Sequence, residues 1–327
     1  MKRILLILAA AAVAFSASAA TPKEKSVAKA PAKKAAVAKA PAKPAAPAET
    51  AHRKTPYVGA ISVDAATGRV LFEDKADAEA YPASVTKLMT ALLVLEDVRA
   101  GKYALSDRAT ATAEAYHSEA SWVGIKAGES MTVDDLLMAL LVKSANDAAI
   151  VLGVHASGSL DAFVARMNAR AAELGMTRTR YFNPNGLPPG GPPRSRRKYP
   201  WKEYNRSTAA DQLKLAVEAV KHPELFKYTS TKVAKGVIGG DGKPIPDFIN
   251  HNNVLVKDKL KILNPDGKEA VDGLKTGYID AGGSSIVLTG RRNGKRVIVV
   301  VLGSSSAKER DENARRLLSD ALGSLAW

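Results

Sequence analysis

The 327-residue sequence contains no cysteine. Disulfide bonds, thiolate zinc sites, a cysteine nucleophile and a lipid anchor on cysteine are therefore excluded. Histidine is also scarce: there are five, and no two have the H-x-x-x-H spacing of a zinc-binding helix. This pattern disfavours a metal-dependent peptidase, and we expect neither a metal nor another cofactor.

Acidic residues are few relative to basic ones, with 33 Asp and Glu against 48 Lys and Arg and a net charge of +15. Such an excess favours anionic partners, namely nucleic acid, a membrane surface or an acidic envelope polymer. Hydrophobic residues make up 46% of the chain. The chain can therefore bury the core of one large domain or two small ones.

Residues 1–19 have the layout of a signal peptide. Lys2 and Arg3 precede an apolar run from Ile4 to Phe15, and the small residues Ala17-Ser18-Ala19 follow. The run is short for a transmembrane helix, which needs about 20 apolar residues. We therefore expect export to the periplasm or cell envelope, which disfavours nucleic acid as a partner.

Residues 20–54 consist almost entirely of lysine, alanine and proline. Their prolines oppose a helix, and no apolar period is available for burial. We predict an extended, basic tether. Its lysines could bind an anionic envelope polymer or could simply keep a spacer soluble, and both alternatives stay open.

Residues 55–327 are predicted to form the folded domain. Alternating patterns predict a hairpin over residues 60–72 and a second hairpin that joins 285–289 to 296–302 through Asn293-Gly294. Apolar periods predict helices over 88–95, from Thr132 onwards and over 308–322. Hairpins and helices in this order indicate an α+β fold with an antiparallel sheet.

A Ser-x-x-Lys spacing can place a hydroxyl and an amine one helical turn apart. A neutral lysine there can remove the serine proton, provided that its pKa falls by about three units from its usual 10.4. The spacing occurs four times, at Ser26/Lys29, Ser84/Lys87, Ser195/Lys198 and Ser305/Lys308. Only Ser84 begins a long apolar helix, where free N–H groups favour developing negative charge.

Two downstream motifs support Ser84. Ser144-Ala145-Asn146 interrupts a helical stretch, and such polar residues are costly unless they face a cleft or are hydrogen-bonded. Lys275-Thr276-Gly277 precedes the final hairpin, and its glycine lets a ligand backbone lie against the strand. Each tripeptide is common by itself, whereas the ordered set of three is specific.

This set resembles the S-x-x-K, S-x-N and K-T-G motifs of penicillin-binding proteins and serine β-lactamases. The longer strings around the motifs resemble the low-molecular-mass D-alanyl-D-alanine carboxypeptidase/endopeptidase family, from Tyr57 to about Leu322. These strings are residues 81–90, 143–149, 182–187, 207–211 and 271–278. The resemblance implies a β-lactamase/transpeptidase-like fold: a five-stranded antiparallel sheet flanked by helices, with a helical subdomain. It also implies peptidoglycan stem peptides as substrates and β-lactams as acylating inhibitors.

The resemblance further implies catalytic roles for five residues. Ser84 would attack the carbonyl between two D-alanines and Lys87 would be its general base. Ser144 would relay a proton to the leaving amine, Asn146 would hold the substrate amide, and Lys275 would set the electrostatics. The oxyanion hole would be formed by the backbone N–H groups of Ser84 and of Tyr278.

Four residues are implied in substrate binding: Thr276, Gly277, Tyr278 and Arg310. Thr276 would bind the substrate carboxylate, and the strand that follows it would align the peptide. Arg310 aligns with a family arginine near the carboxylate, although an ordinary surface position on the last helix is an equal alternative. His251-Asn252-Asn253 is expected to be structural, and Tyr116, Trp122 and Trp201 are expected to pack.

Other functions stay open beside the carboxypeptidase. A D,D-endopeptidase that cleaves cross-links is the main alternative. A β-lactamase is disfavoured because no Glu-x-x-x-Asn segment lies between Asn146 and Lys275, and a non-catalytic envelope-binding protein is disfavoured by the intact motifs.

The sequence departs from the family in three places. Ile279-Asp280-Ala281-Gly282-Gly283-Ser284 replaces the usual Thr-Asp-x-Ala-Gly, and the basic loop at residues 187–204 is longer than usual. The chain ends soon after the catalytic domain, so we expect no β-rich second domain and no stable membrane anchor after signal cleavage.

Overall fold

The computed structural model describes residues 56–115, 121–190 and 203–325. These residues belong to one compact unit that spans Ala46–Trp327. The signal peptide (1–19), the tether (20–54) and the pairs Ser26/Lys29 and Ser195/Lys198 lie outside the described residues, so the interpretations of these segments stay predictions.

Five antiparallel strands form the central sheet, in the order β2-β1-β9-β8-β7. The strands are β1 (Gly59–Asp64), β2 (Val70–Asp74), β7 (Val271–Ile279), β8 (Gly283–Arg292) and β9 (Lys295–Ser304). Both predicted hairpins are confirmed. Asn293 and Gly294, which join β8 to β9, have φ of +50° and +77°, as a two-residue hairpin turn requires.

Eight helices and two short hairpins complete the described fold. The helices are α1 (Lys87–Arg99), α2 (Val133–Met138), α3 (Asn146–Ser157), α4 (Leu160–Glu173), α5 (Ala209–Ala219), α6 (Leu225–Thr229), α7 (Asn253–Val256) and α8 (Ala307–Ser324). The hairpins pair β3 (Arg108–Thr110) with β4 (Ser130–Thr132), and β5 (Val233–Ala234) with β6 (Phe248–Ile249). The predicted cap of α2 is confirmed, since Thr132 Oγ1 accepts the N–H of Asp135 at 3.0 Å.

Strand β9 shows why the sheet is buried on both faces. Its side chains alternate between two hydrophobic clusters. Ile298, Val300 and Leu302 pack with the helical subdomain that contains α1 to α5, whereas the alternate residues of 297–301 pack under α8. All of these residues are fully buried, and such a strand reads as a continuous apolar run rather than as an alternation.

The regular helices of the helical subdomain are interrupted at two places, next to Ser84 and at Ser144. A 3₁₀ turn at Ala83–Thr86 leads into α1, and a π-helical turn at Ala139–Lys143 follows α2. The second break ends at Ser144, whose φ of +62° is left-handed and separates α2 from α3. The interruption predicted at Ser144-Ala145-Asn146 is therefore present.

In the described part of the chain no single helix is both long and apolar enough to cross a membrane. Helices α3 and α4 together meet the length and composition criteria, but they are bent by 86° at their junction.

Candidate active site

The turn that carries Ser84 is held between a loop and the edge strand β7. A Cβ on Gly186 would lie 1.9 Å from the carbonyl oxygen of Ala83, and a Cβ on Gly277 would lie 2.6 Å from that of Pro82. Neither distance can accommodate a side chain, so backbone packs directly on backbone at both positions. Ser84 therefore sits at a fixed point between the helical subdomain and the sheet.

The loop at residues 182–187 is tied to the start of α1. The hydroxyl of Thr90 donates to the carbonyl of Pro184 at 2.7 Å. The amide of Asn205 donates to the carbonyl of Asn183 and to the hydroxyl of Thr86, both at 3.0 Å. Residues 182–187 resemble a family segment in sequence, and in the structure they bring a backbone carbonyl to the lysine beside Ser84.

Lys87 is fully buried, and its amine has three oxygen neighbours. Nζ lies 2.8 Å from Ser84 Oγ, 2.8 Å from Asn146 Oδ1 and 2.7 Å from the carbonyl oxygen of Asn185. The amide and carbonyl oxygens can only accept, so they take two N–H groups. A neutral amine then has one lone pair left, and it faces the Ser84 hydroxyl as a general base requires.

Burial and charge both favour the neutral form of Lys87. Burial lowers the pKa of this amine well below 10.5, the charge of Lys275 lowers it further, and Asp147 opposes them. The Ser-x-x-Lys mechanism requires an uncharged lysine, and the structure explains how the pKa of Lys87 is lowered.

A second lysine–serine pair faces the first. Lys275, on β7, donates from Nζ to Ser144 Oγ at 2.9 Å and is 2% exposed. Burial, and then the charge of Arg310, lower the pKa of Lys275 to about 7. Lys275 can therefore exchange a proton near neutral pH.

A cleft of ≈ 1030 Å³ opens over these two pairs. Seven of the nine predicted site residues line it: Ser84, Ser144, Asn146, Thr276, Gly277, Tyr278 and Arg310. The other two, Lys87 and Lys275, are buried and are bonded to cleft-lining hydroxyls. One cavity thus brings together residues from distant parts of the chain, from Ser84 to Arg310, which are 226 positions apart.

Arg310 lies in the cleft wall and not on the solvent face of α8. It is 5% exposed, and Nε and Nη2 donate to Asp311 Oδ1 at 2.8 and 2.6 Å. Asn253 donates to the other oxygen of Asp311 at 2.8 Å. The guanidinium is therefore held in place in the wall of the cleft, which Thr276 also lines.

Several cleft residues have no clear signal in the sequence. Ser121 and Trp122 line the cleft, and Trp122 is 38% exposed, which differs from the expectation that it packs. Tyr116 and Trp201 lie outside the described residues. Ser121 and Trp122 lie in a loop, where no period in the sequence predicts which side chain faces a ligand.

His251 also lines the cleft, whereas its neighbour Asn252 is buried and caps α7 through Val254 N. The cleft walls desolvate the imidazole, and the charges of Lys275 and Lys87 add to this effect and lower its pKa to about 4. His251 is therefore neutral at pH 7. The expected structural role holds for Asn252, but His251 faces the cavity.

One group of side chains outside the cleft lining has metal-ligand spacing among the described residues: Glu96, Glu218 and His222. Arg170 Nη2 donates to both carboxylates, at 2.7 and 2.9 Å. A guanidinium in this position neutralises the group, so we interpret it as an ion-pair network.

Comparison with known proteins agrees with this geometry. A family model described as D-alanyl-D-alanine carboxypeptidase matches residues 46–306. The chain therefore belongs to the D-alanyl-D-alanine carboxypeptidase family.

Three similar proteins illustrate the relationship. The D-alanyl-D-alanine carboxypeptidase DacF of Bacillus subtilis is 30% identical over 80% of this chain and 61% of its own length. The D-alanyl-D-alanine endopeptidase of Escherichia coli is 27% identical over 79% of this chain and 74% of its own. The crystal structure of penicillin-binding protein D2 from Listeria monocytogenes, in its ampicillin-bound form, superposes with a TM-score of 0.66 at 28% identity, over 82% of this chain and 99% of that one.

The predicted β-lactamase/transpeptidase-like α+β fold, a five-stranded antiparallel sheet flanked by helices, is thereby confirmed. The chain spans about three fifths of the length of DacF and of similar carboxypeptidases from Escherichia coli.

Proposed function

We propose that the protein is a serine-type D-alanyl-D-alanine carboxypeptidase that acts on peptidoglycan stem peptides through an acyl-enzyme on Ser84. One observation carries the proposal. The fully buried amine of Lys87 lies 2.8 Å from the Ser84 hydroxyl, and that hydroxyl faces an open cleft. A nucleophile paired with a neutral base in a cleft is the arrangement that acyl transfer requires.

Acylation begins when Ser84 Oγ attacks the carbonyl carbon of the penultimate D-alanine. The hydroxyl proton moves to Lys87, which becomes an ammonium while Asn146 and Asn185 accept its other N–H groups. The carbonyl oxygen becomes an oxyanion, and the backbone N–H groups of Ser84 and Tyr278 are the proposed donors to it. Such donors typically supply about 3–4 kcal/mol of transition-state stabilisation.

The scissile C–N bond then breaks, and the leaving D-alanine amine needs a proton. Ser144 is placed to pass one from Lys275, which donates to its hydroxyl at 2.9 Å. The pKa of about 7 for Lys275 supports this transfer at neutral pH. Before deacylation Lys87 loses to solvent in the cleft the proton that it took from Ser84, and Lys275 regains one, so both lysines return to their starting states. Water then attacks the Ser84 ester with neutral Lys87 as base. As the ester bond breaks, the proton on Lys87 passes to Ser84 Oγ, which releases the shortened stem peptide as its carboxylic acid and regenerates the serine.

Substrate alignment is assigned to β7. This strand is at the edge of the sheet, so an extended peptide can add to it as a further strand. Gly277 allows close backbone approach, and Tyr278 is 61% exposed. We assign the terminal carboxylate of the substrate to Thr276 and to the held guanidinium of Arg310.

Penicillins would acylate Ser84 by the same steps, because their strained amide takes the place of the D-alanyl amide. The ampicillin-bound form of the similar Listeria monocytogenes protein supports this assignment.

A D,D-endopeptidase activity is the second candidate. The similarity to the Escherichia coli endopeptidase extends over 74% of that protein's length. The cleft of ≈ 1030 Å³ is also roomy enough for a bulkier leaving peptide.

Export to the periplasm or cell envelope, and contact of a basic tether with an anionic envelope polymer, are proposed from residues 1–54. These proposals rest on the charge and composition of that segment.

The proposed function is tested with a fluorescent penicillin and with purified peptidoglycan fragments. We expect covalent labelling of the wild type and of Ser305→Ala, and none of Ser84→Ala. Labelling that persists in Ser84→Ala would overturn the assignment. Release of D-alanine from pentapeptides indicates the carboxypeptidase, splitting of cross-linked dimers indicates the endopeptidase, and rapid turnover of the penicillin adduct would instead indicate a β-lactamase.

A further inference from the structure

Asp147, the residue after Asn146, carries a carboxylate that is fully buried. Four backbone N–H groups donate to it: Val123 at 3.0 Å, Gly124 at 2.8 Å, Ile125 at 3.3 Å and Ala148 at 2.9 Å. Burial raises the pKa of this carboxyl, while the four donors act in the opposite direction. A site with only donors around it suits the ionised form, which only accepts.

Three of these donors belong to the segment 121–125, whose first two residues line the cleft. The same segment is bonded to residues 143–146 at two further points. The N–H of Asn146 donates to the carbonyl of Ser121 at 2.7 Å, and the Ser121 hydroxyl donates to the carbonyl of Lys143. Asp147 is therefore the central anchor between the cleft wall at Ser121-Trp122 and the turn that carries Ser144 and Asn146.

The charge of Asp147 also reaches the catalytic lysine. Two charged groups act on Lys87, namely Lys275 from β7 and Asp147 from α3, and they have opposite signs. Lys143 and Arg310 lie farther around the cleft, where their charges act on His251. Lys87 gains a positive charge when it takes the Ser84 proton, and a buried negative charge stabilises that state more strongly than an exposed one would.

We propose that Asp147 is a positioning residue for acylation: its buried carboxylate fixes the Ser121-Trp122 wall to the Ser144–Asn146 turn and stabilises the ammonium that forms on Lys87. The inference rests on the proposed function, because it concerns the step in which Ser84 is acylated.

The test is Asp147→Asn, with Asp211→Asn as the matched control. Asp211 is 2% exposed and likewise pins a backbone N–H, that of Arg178 at 2.9 Å, but it is not among the described residues that line the cleft. The acylation rate with fluorescent penicillin is measured from pH 5 to 9, together with the thermal unfolding midpoint.

For Asp147→Asn we expect acylation at neutral pH to fall by roughly tenfold to 100-fold, because the cleft wall is misplaced. We also expect the acidic limb of the pH profile to move to lower pH. Removal of the negative charge destabilises the Lys87 ammonium, so the neutral base persists in more acidic solution. Asp211→Asn should lower the unfolding midpoint and leave the limb unmoved.

Asp147→Glu separates the two parts of the role. It keeps the charge, but its longer side chain displaces the segment 121–125, so we expect slower acylation with the acidic limb at its wild-type position. This variant also carries the test if Asp147→Asn does not fold. Three outcomes would overturn this inference and leave the proposed function intact. They are an unmoved limb with a wild-type rate in Asp147→Asn, a wild-type rate in Asp147→Glu, and an equal limb shift in Asp211→Asn. Absence of Ser84-dependent labelling in the wild type would overturn the proposed function.

Discussion

Among the described residues, two Ser-x-x-Lys pairs stand at the start of a helix, and only one of them brings its amine to its hydroxyl in a buried site. Lys87 is fully buried and its amine contacts Ser84, Asn146 and Asn185. The Lys308 side chain is 83% exposed, with its amine 3.9 Å from Glu312. The hydroxyl of Ser305 donates to the carboxylate of Glu309 and not to an amine.

The difference shows that the Ser-x-x-Lys spacing can place an amine near a hydroxyl but does not by itself lower the pKa of that amine. Burial and the nearby charge of Lys275 make the protonated form of the Lys87 amine unfavourable, as the proposed general base requires. The Lys308 side chain, by contrast, is exposed to solvent and lies beside Glu312. Three changes test this comparison, from the largest expected effect to the smallest.

The largest effect is expected for Lys87→Met. The variant keeps the volume of the buried chain but removes the base, so the rate of acylation by fluorescent penicillin should fall by about 10²–10⁴-fold. Lys308→Met, the matched change in the second pair, should acylate at the wild-type rate. Equal losses in the two variants would show that the burial of Lys87 has no part in the chemistry.

An intermediate effect is expected for Gly186→Ala, which disturbs the packing that encloses the Ser84 turn. The new Cβ would lie 1.9 Å from the carbonyl of Ala83, and φ at this position is +81°. We expect a loss of more than about 2 kcal/mol in unfolding free energy, since strain and collision add. Penicillin acylation should also be slower.

Gly158→Ala is the control for the glycine change. Its φ is +77°, but no atom lies within 4 Å of the new Cβ. We expect only the cost of the left-handed backbone, about 1 kcal/mol, and unchanged acylation. Chemical denaturation measures both variants, and equal losses would contradict the packing argument.

The smallest effect is a shift of the pH profile in Lys275→Met. The charge of Lys275 lowers the pKa of Lys87, so its removal should raise that pKa. The acidic limb of the acylation profile should therefore move to higher pH, in the direction opposite to that expected for Asp147→Asn. A limb that stays in place or moves to lower pH would show that the two lysines are not coupled. Lys275 is assigned a catalytic role, so the position of the limb is the readout and not the absolute rate.

Much of the fold follows from local pattern. Asn293-Gly294 predicts the β8–β9 hairpin because few other dipeptides adopt two successive left-handed conformations. Thr132 and Asp135 predict the cap of α2 because a hydroxyl at the start of a helix can accept the N–H three residues later. The clear alternation at residues 60–64 led to the correct strand, although β1 is buried on both faces.

The sequence singled out residues that the structure places around one cleft, but it did not predict the contacts between them. The motifs around Ser84, Ser144 and Lys275 could be read directly, whereas the contributions of Asn185, Trp122 and Asp147 could not. Asn185 acts through a backbone carbonyl, which every residue has. Asp147 acts through burial, which no local pattern reports.

The sequence by itself determined which of the chain's functional groups belong together, because three motifs in a fixed order identify the family. Only the tertiary structure decided what those groups can do. Lys87 and Lys275 carry the same amine as any other lysine, and burial and charged neighbours lower the pKa of both. Those neighbours come from strands and loops that are far apart in the chain. They surround the lysines only after the sheet and the helical subdomain have packed together.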